Sequence, residues 1–101
     1  MKRMMIAAEE GFEVLATTSR SQAASMVLAP GESTGGPDNR HAGSDQWLFV
    51  IAGRGSAQVE SQRVSLQPGT LLLIEAGEAH EIANEGNEPL VSVNIYAPPA
   101  Y

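Results

Sequence analysis

Glycine and proline interrupt this chain at short intervals, and that spacing constrains its fold more than any other feature. The runs between the interruptions are short and rich in valine, isoleucine, leucine and threonine, and the helical period of apolar residues is almost absent. Short β-favouring runs separated by turn residues are typical of sandwiches and barrels. The sequence therefore predicts an all-β fold.

The pattern divides the chain into eight predicted strands, at 12–18, 23–29, 46–52, 56–60, 63–66, 71–74, 80–84 and 90–97. Residues 71–74 are continuously apolar, which predicts a strand buried on both faces. The segment 31–38 is the longest predicted loop and the strongest candidate for mobility. Pro68 and Gly69 occupy the central positions of a predicted type II turn.

Size and charge exclude several classes of protein. With 101 residues, of which 43% are hydrophobic, the chain is predicted to be one domain over 1–101 with its core at about 12–97. Its net charge of −6 repels phosphate backbones and anionic lipid surfaces. We therefore expect no nucleic-acid partner and no membrane partner.

The chain contains no cysteine, which excludes disulfides, thiolate metal ligands and cysteine nucleophiles. Lys2 and Arg3 precede an apolar run that is too short for a signal peptide. No stretch is long and apolar enough to span a bilayer. These features predict a cytoplasmic protein.

The two histidines of the chain lie in segments that can converge on one site. Asn39 and His41 share one face of an extended chain because side chains alternate with period two. Gln46 begins the next predicted strand and His80 begins a later one. Imidazole nitrogen and amide oxygen can both bind a metal ion. We therefore predict that His41, Gln46, His80 and Asn39 converge on one point, where they form either a metal site or a hydrogen-bonded polar cluster.

The two segments resemble the motifs of the cupin family. The second family motif, G-x5-P-x-G-x2-H-x3-N, matches in spacing at Gly69, Gly77, His80 and Asn84, with Glu75 in place of the proline. The first family motif, G-x5-H-x-H-x3,4-E-x6-G, matches at His41 and Gly53. It departs from the family at three positions, where the chain has Ser33, Asn39 and Gln46 for the glycine, the first histidine and the glutamate.

The resemblance implies a double-stranded β-helix, or jelly-roll barrel, that forms a homodimer and directs its ligands inward. It also implies a divalent metal ion, such as iron, manganese, nickel or zinc. Because Asn39 and Gln46 replace a histidine and a glutamate, the implied metal site has no anionic ligand.

Two functions remain open at this stage. The first is a metal-dependent cupin that acts on or binds a small molecule in the barrel. The second is a metal-free module that binds or senses a small ligand, in which the amides and imidazoles hold an organic molecule directly. A third possibility is a partner-binding domain that acts through the face containing Trp47.

Two alternating strands lead to further predictions. Trp47, Phe49 and Ile51 should point outward if Gln46 points inward, and an exposed row of this kind suggests a dimer interface. On the last strand Ser92, Asn94 and Tyr96 alternate with apolar residues, and we interpret this polar set as solvent-facing, with a pocket lining as the alternative. Around His80, the acidic residues Glu75, Glu78 and Glu81 are interpreted as a solvated rim.

Overall fold

Two antiparallel β-sheets form the computed structural model, which describes residues 1–7, 9–35 and 41–101. The first sheet contains, in spatial order, β1 (Gly11–Thr17), β2 (Gln22–Leu28), β9 (Leu90–Ala97), β4 (Asp45–Ala52) and β7 (Leu71–Ile74). The second contains β3 (Ser33–Gly35), β8 (His80–Asn84), β5 (Gly55–Val59) and β6 (Gln62–Leu66). The predicted all-β class is confirmed. Within the described ranges, no helix has the length and apolarity needed to cross a membrane.

The hydrophobic core lies between the inner faces of the two sheets. Strand β4 supplies Leu48 and Val50, both fully buried, and the second sheet supplies Ala57, Leu66 and Ile82. Burying one leucine or isoleucine side chain stabilises the fold by about 2 kcal/mol. The alternation along β4 therefore determines which of its faces turns inward.

The outward row on β4 is as predicted. Trp47, Phe49 and Ile51 are 42%, 44% and 43% exposed, whereas Gln46 between the sheets is 3% exposed. Asp45 is exposed, on the opposite face from Gln46. Strand β4 is therefore strongly amphipathic.

The interpretation of the polar set on β9 as solvent-facing is wrong. Ser92, Asn94 and Tyr96 are 1%, 0% and 2% exposed and lie inside the barrel. The reason is register: β4 pairs Gln46 with Tyr96 and Leu48 with Asn94, so these residues share the inward face. The polar side chains of β9 are therefore directed toward the side that carries Gln46.

The prediction that β7 is buried on both faces is also wrong. Leu71 and Leu73 are 60% and 39% exposed, and only Ile74 is fully buried. Strand β7 is the last strand of its sheet and pairs with β4. Since an antiparallel sheet at the surface of the molecule covers the core with one face only, an apolar run on such a strand leaves half of its side chains outside.

The predicted loop at 31–38 is partly a strand. Residues 33–35 form β3 and pair with β8, while 36–38 lie outside the described residues. The predicted type II turn is confirmed, because Gly69 has a φ of 94° and the Thr70 N–H donates to the Gln67 carbonyl over 3.0 Å.

Candidate functional site

His41 and His80 meet at one end of the space between the sheets. Their ring centroids are 5.2 Å apart, with 43° between the ring planes. A main-chain contact joins the two motif segments: the Gly77 N–H donates to the His41 carbonyl oxygen over 2.9 Å. Gly77 has a φ of 86°, a conformation that glycine adopts without strain. The glycine of the second motif therefore positions the histidine of the first.

The ring of His80 is oriented by the main chain. Its Nδ1 lies 3.1 Å from the carbonyl oxygen of Glu78, which can only accept a hydrogen bond. Nδ1 must therefore carry the proton, and in the neutral ring Nε2 carries the lone pair. A carbonyl that fixes the tautomer in this way is a common device behind metal-binding histidines.

Gln46 contributes an amide at the same place. Its Nε2 donates to Asn94 Oδ1 over 2.8 Å, and both side chains are buried. Its Oε1 is buried and has no hydrogen-bond partner among the described residues. A buried amide oxygen without a partner is costly, and native proteins usually place one where a ligand or a water completes it.

These groups border a small cavity of about 30 Å³. It is lined by the two histidines, Gln46 and the surrounding side chains Phe12, Met26, Thr34, Ile82, Tyr96 and Tyr101. A space of this size suits a water molecule or a single ion. His80 also borders a cleft of about 250 Å³, together with Gln58, Glu60, Ala79 and Glu81.

Aromatic rings line the cavity beside His41. The ring of Tyr101 packs 4.8 Å from that of Phe12, 5.2 Å from that of Tyr96 and 5.4 Å from that of His41. The Tyr101 hydroxyl lies 3.4 Å from His41 Nε2. Tyr101 itself is 61% exposed, so its side chain forms the boundary between the cavity and solvent.

Gln22 fixes the backbone of this aromatic cover. Its Nε2 donates to the Tyr101 backbone oxygen over 2.8 Å, and its Oε1 accepts from the N–H groups of Ala100 and Tyr101. Because Gln22 is 3% exposed, these bonds are shielded from water. The backbone position of Tyr101 is therefore held by strand β2.

The electrostatics of the site favour the neutral forms of His41 and Tyr96. Burial, and then the charge that His80 would carry, lower the pKa of His41 below its usual value of 6.5. Burial, and then the proximity of Tyr101 and a hydrogen bond to it, raise the pKa of the Tyr96 hydroxyl. At neutral pH, His41 therefore offers a lone pair and Tyr96 keeps its proton.

The donor set fits a divalent ion. Two imidazoles that share a zinc ion at about 2.1 Å in tetrahedral geometry have ring centres about 5 Å apart, close to the separation found here. The partnerless Gln46 Oε1 supplies a third donor atom at the same cavity. Within the described ranges, no group of three or more histidine or acidic residues could hold a metal. An ion at this cavity would therefore be held by two imidazoles and one amide.

Of the four residues predicted to form the site, the structure brings His41, Gln46 and His80 together. Asn39 lies outside the described residues, so its role as a ligand stays a prediction. Asn84 of the second motif is structural, because its Nδ2 donates to the carbonyls of Leu28 and Glu88 over 2.8 Å each. Glu78 is not simply a solvated residue of an acidic rim, because its carboxylate accepts a hydrogen bond from the Glu75 N–H.

Sequence reasoning missed Tyr101 and Phe12 as neighbours of the histidines, and it assigned Asn94 and Tyr96 to the wrong face. The alternation of Ser92, Asn94 and Tyr96 was the available signal for the last two. No local pattern indicates Tyr101, because only the pairing of β2 with β9 and the Gln22 hydrogen bonds bring it to His41.

Comparison with known proteins decides the family. The model of the cupin domain matches residues 24–96 of the chain, which include both motifs and most of the barrel. The chain belongs to the cupin family. Its fold agrees with a crystal structure of a Bacillus halodurans protein, with a TM-score of 0.85 and 32% identity over 91% of this chain and 73% of that one.

Two curated proteins are similar to this cupin in sequence. The tetracenomycin polyketide synthase protein TcmJ of Streptomyces glaucescens is 37% identical over 64 residues, which are 63% of this chain and 42% of that protein. An oxalate-binding protein of Thermotoga maritima is 31% identical over 67 residues, which are 66% of this chain and 54% of that protein. The cupin thus spans about half the length of these relatives.

Proposed function

We propose that this cupin is metal-dependent and that it acts on or binds a small molecule in the barrel. The observation that carries the proposal is the buried Gln46 Oε1, which has no partner among the described residues and borders a cavity shared with His41 and His80. Leaving such an oxygen unsatisfied costs about 1–3 kcal/mol. A bound cation would remove that cost.

In this proposal, three neutral groups hold the ion. The lone pair on His80 Nε2 follows from the hydrogen bond of Nδ1 to Glu78, and burial keeps His41 neutral. Asn39 is the predicted fourth ligand or a group that orients the others. Iron, manganese, nickel and zinc all accept imidazole nitrogen.

The neutral ligand set also indicates the class of small molecule. Since no described ligand is anionic, the ion keeps its full charge, and a small carboxylate would complete its coordination best. The similarity to an oxalate-binding protein supports this choice. When bound, the metal would supply Lewis-acid polarisation of a ligand oxygen or, as iron or manganese, activation of dioxygen.

Metal content tests the proposal directly. Tag-free parent protein would be analysed by elemental mass spectrometry alongside the variants His41→Ala and His80→Ala. The control is Gln62→Ala, which changes an exposed side chain on β6. We expect near-stoichiometric metal in the parent and the control, and its loss in both histidine variants. A parent that binds none of the four metals after incubation with each would contradict the proposal.

One observation favours the alternative of a metal-free ligand-binding module. The Tyr101 hydroxyl lies 3.4 Å from His41 Nε2, the atom that an ion would need. In that module, Tyr101, the imidazoles and Gln46 would hydrogen-bond an organic ligand without an ion. Calorimetric titration of metal-free protein with oxalate distinguishes the two functions, since heat of binding without added metal supports the module.

A further inference from the structure

A chain of buried hydrogen bonds lies behind Gln46, on the side away from the cavity. Gln46 Nε2 donates to Asn94 Oδ1 over 2.8 Å, and Asn94 Nδ2 donates to Ser92 Oγ over 3.2 Å. Ser92 Oγ in turn donates to the carbonyl oxygen of Met26 on β2, over 3.4 Å. Ser92, Asn94 and Gln46 are 1%, 0% and 3% exposed, so no bulk water can replace a missing partner.

The chain of hydrogen bonds has one donor-to-acceptor direction, because it ends on the Met26 carbonyl, which can only accept a hydrogen bond. The Met26 carbonyl takes the single hydroxyl proton of Ser92, which leaves Ser92 Oγ to accept from the Asn94 amide nitrogen. The oxygen of Asn94 then faces Gln46 and accepts from its amide nitrogen. Gln46 therefore turns its own oxygen away from Asn94.

The reverse arrangement has a definite cost. If Gln46 turned its nitrogen to the cavity, Asn94 would have to turn its nitrogen to Gln46 and its oxygen to Ser92. Ser92 would then donate to Asn94, and its bond to Met26 would be lost inside the core. Ser92, which does not line the cavity, thus favours the orientation of Gln46 in which the amide oxygen, and not the amide nitrogen, faces the cavity.

We propose that Ser92 and Asn94 are positioning residues that direct the Gln46 oxygen into the pocket. At this wall, the pocket then takes a cation or a hydrogen-bond donor, and it rejects an anion that would need the amide nitrogen. The proposal deepens the proposed function and rests on it for the claim that Gln46 is a metal ligand. The polarity of the amide can be tested independently of any metal.

The first test compares Ser92→Ala, which removes the acceptor for Asn94, with Ser92→Thr, which keeps the hydroxyl. Each metal-free protein would be titrated with Co²⁺ by calorimetry, and folding would be checked by circular dichroism. We expect Ser92→Ala to weaken Co²⁺ binding about tenfold or more, the usual effect of losing a group that orients a ligand. Ser92→Thr should stay within about twofold of the parent.

The second test repeats Ser92→Ala in a Gln46→Glu background, to show whether Ser92 affects Co²⁺ binding through the Gln46 amide. In Gln46→Glu, the carboxylate offers oxygen in either orientation, so Co²⁺ binding no longer depends on the direction of an amide. We expect adding Ser92→Ala to Gln46→Glu to cost about twofold at most. An equal loss in both backgrounds would show that Ser92→Ala acts through packing, and it would overturn the proposal.

The third measurement needs no metal. Nuclear Overhauser contacts of the Gln46 side-chain NH₂ protons should point to Asn94 in the parent and in Ser92→Thr. In Ser92→Ala, where neither orientation of the amide is favoured, they should also appear to the cavity residue Ile82. If the parent binds neither Co²⁺ nor any of the four metals named above, but these contacts change as expected, the proposed function fails and the positioning role stands. If contacts and affinity are the same in Ser92→Ala as in Ser92→Thr, the positioning role is refuted.

Discussion

His41 connects the first motif segment to the second. Its carbonyl accepts from Gly77, its ring faces His80 and its Nε2 contacts Tyr101. Burial, and then the charge that His80 would carry, lower its pKa below 6.5. The ring is therefore adapted to stay neutral, and this has consequences for stability and for binding.

Acidification should destabilise the fold through His41. The unfolded chain binds a proton at this residue near pH 6.5, while the folded protein binds it only at lower pH. Stability is therefore fully present above pH 6.5 and falls as the pH drops below it. Urea unfolding at pH 7.5 and 5.5 measures the loss. In His41→Gln the loss should be smaller, and an equal loss would contradict the assignment.

The Tyr101 hydroxyl should compete with a metal for His41 Nε2. Tyr101→Phe removes that hydrogen bond, which is worth about 0.5–1.5 kcal/mol, so we expect Co²⁺ to bind roughly two- to tenfold more tightly. Calorimetric titration measures the change. Tyr96→Phe is the comparison variant, because it deletes the other hydroxyl of the cluster, with its hydrogen bond to Tyr101, but does not remove the group that contacts His41. Weaker binding in Tyr101→Phe would indicate that the hydroxyl assists the ligand.

At the scale of the elements, two turns of the motif segments depend on glycine. Gly53 closes the first motif after β4 with a φ of 89°, and a β-carbon there would come within 2.3 Å of the Pro89 carbonyl oxygen. Gly69 has nearly the same φ, 94°, but open space around it. An alanine at Gly69 would therefore meet backbone strain alone, whereas an alanine at Gly53 would meet backbone strain and a steric clash.

Gly53→Ala should destabilise the protein more than Gly69→Ala. The shared cost of a left-handed conformation is about 1–2 kcal/mol, and the conflict with Pro89 adds roughly 1–3 kcal/mol at Gly53 only. Urea unfolding of both variants at pH 7.5 measures the difference. Equal losses would mean that the segment around Pro89 yields without cost.

The elements also show where sequence reasoning succeeded and where it failed. The alternation on β4 correctly predicted which residues face out, because a period of two on a half-buried strand has only one stable orientation. On β9 the inward set, Ser92, Asn94 and Tyr96, is more polar than the outward set that contains Val93 and Ile95, which is the reverse of the usual pattern. Local patterning could not choose between its faces; pairing with β4 did.

At the scale of the whole molecule, the outer face of the first sheet carries a continuous apolar area. It joins β4, β7 and β9 and consists of the exposed residues Trp47, Phe49, Ile51, Leu71, Leu73 and Ile95. The cross-strand pairs Trp47 with Leu73 and Phe49 with Leu71 make the area contiguous. Apolar areas of this kind usually mark an interface, which is consistent with the predicted homodimer.

The homodimer prediction leads to a paired test. Phe49→Asp places a charge in the middle of this face, whereas Val64→Asp places one at a similarly exposed apolar residue on β6 of the second sheet. We expect a dimer in the parent and in Val64→Asp, and a monomer in Phe49→Asp, by sedimentation equilibrium. A monomeric parent would rule out the homodimer at the concentrations tested.

The sequence by itself determined the all-β class, the cupin motifs and the candidate set of His41, Gln46 and His80, which the structure brings together. These follow from local information: turn residues, a period of two and motif spacing. Only the tertiary structure decided that Ser92 and Asn94 lie behind Gln46 and that Tyr101 covers His41. Those contacts depend on strand register and on hydrogen bonds between residues far apart in the chain, which no local pattern encodes.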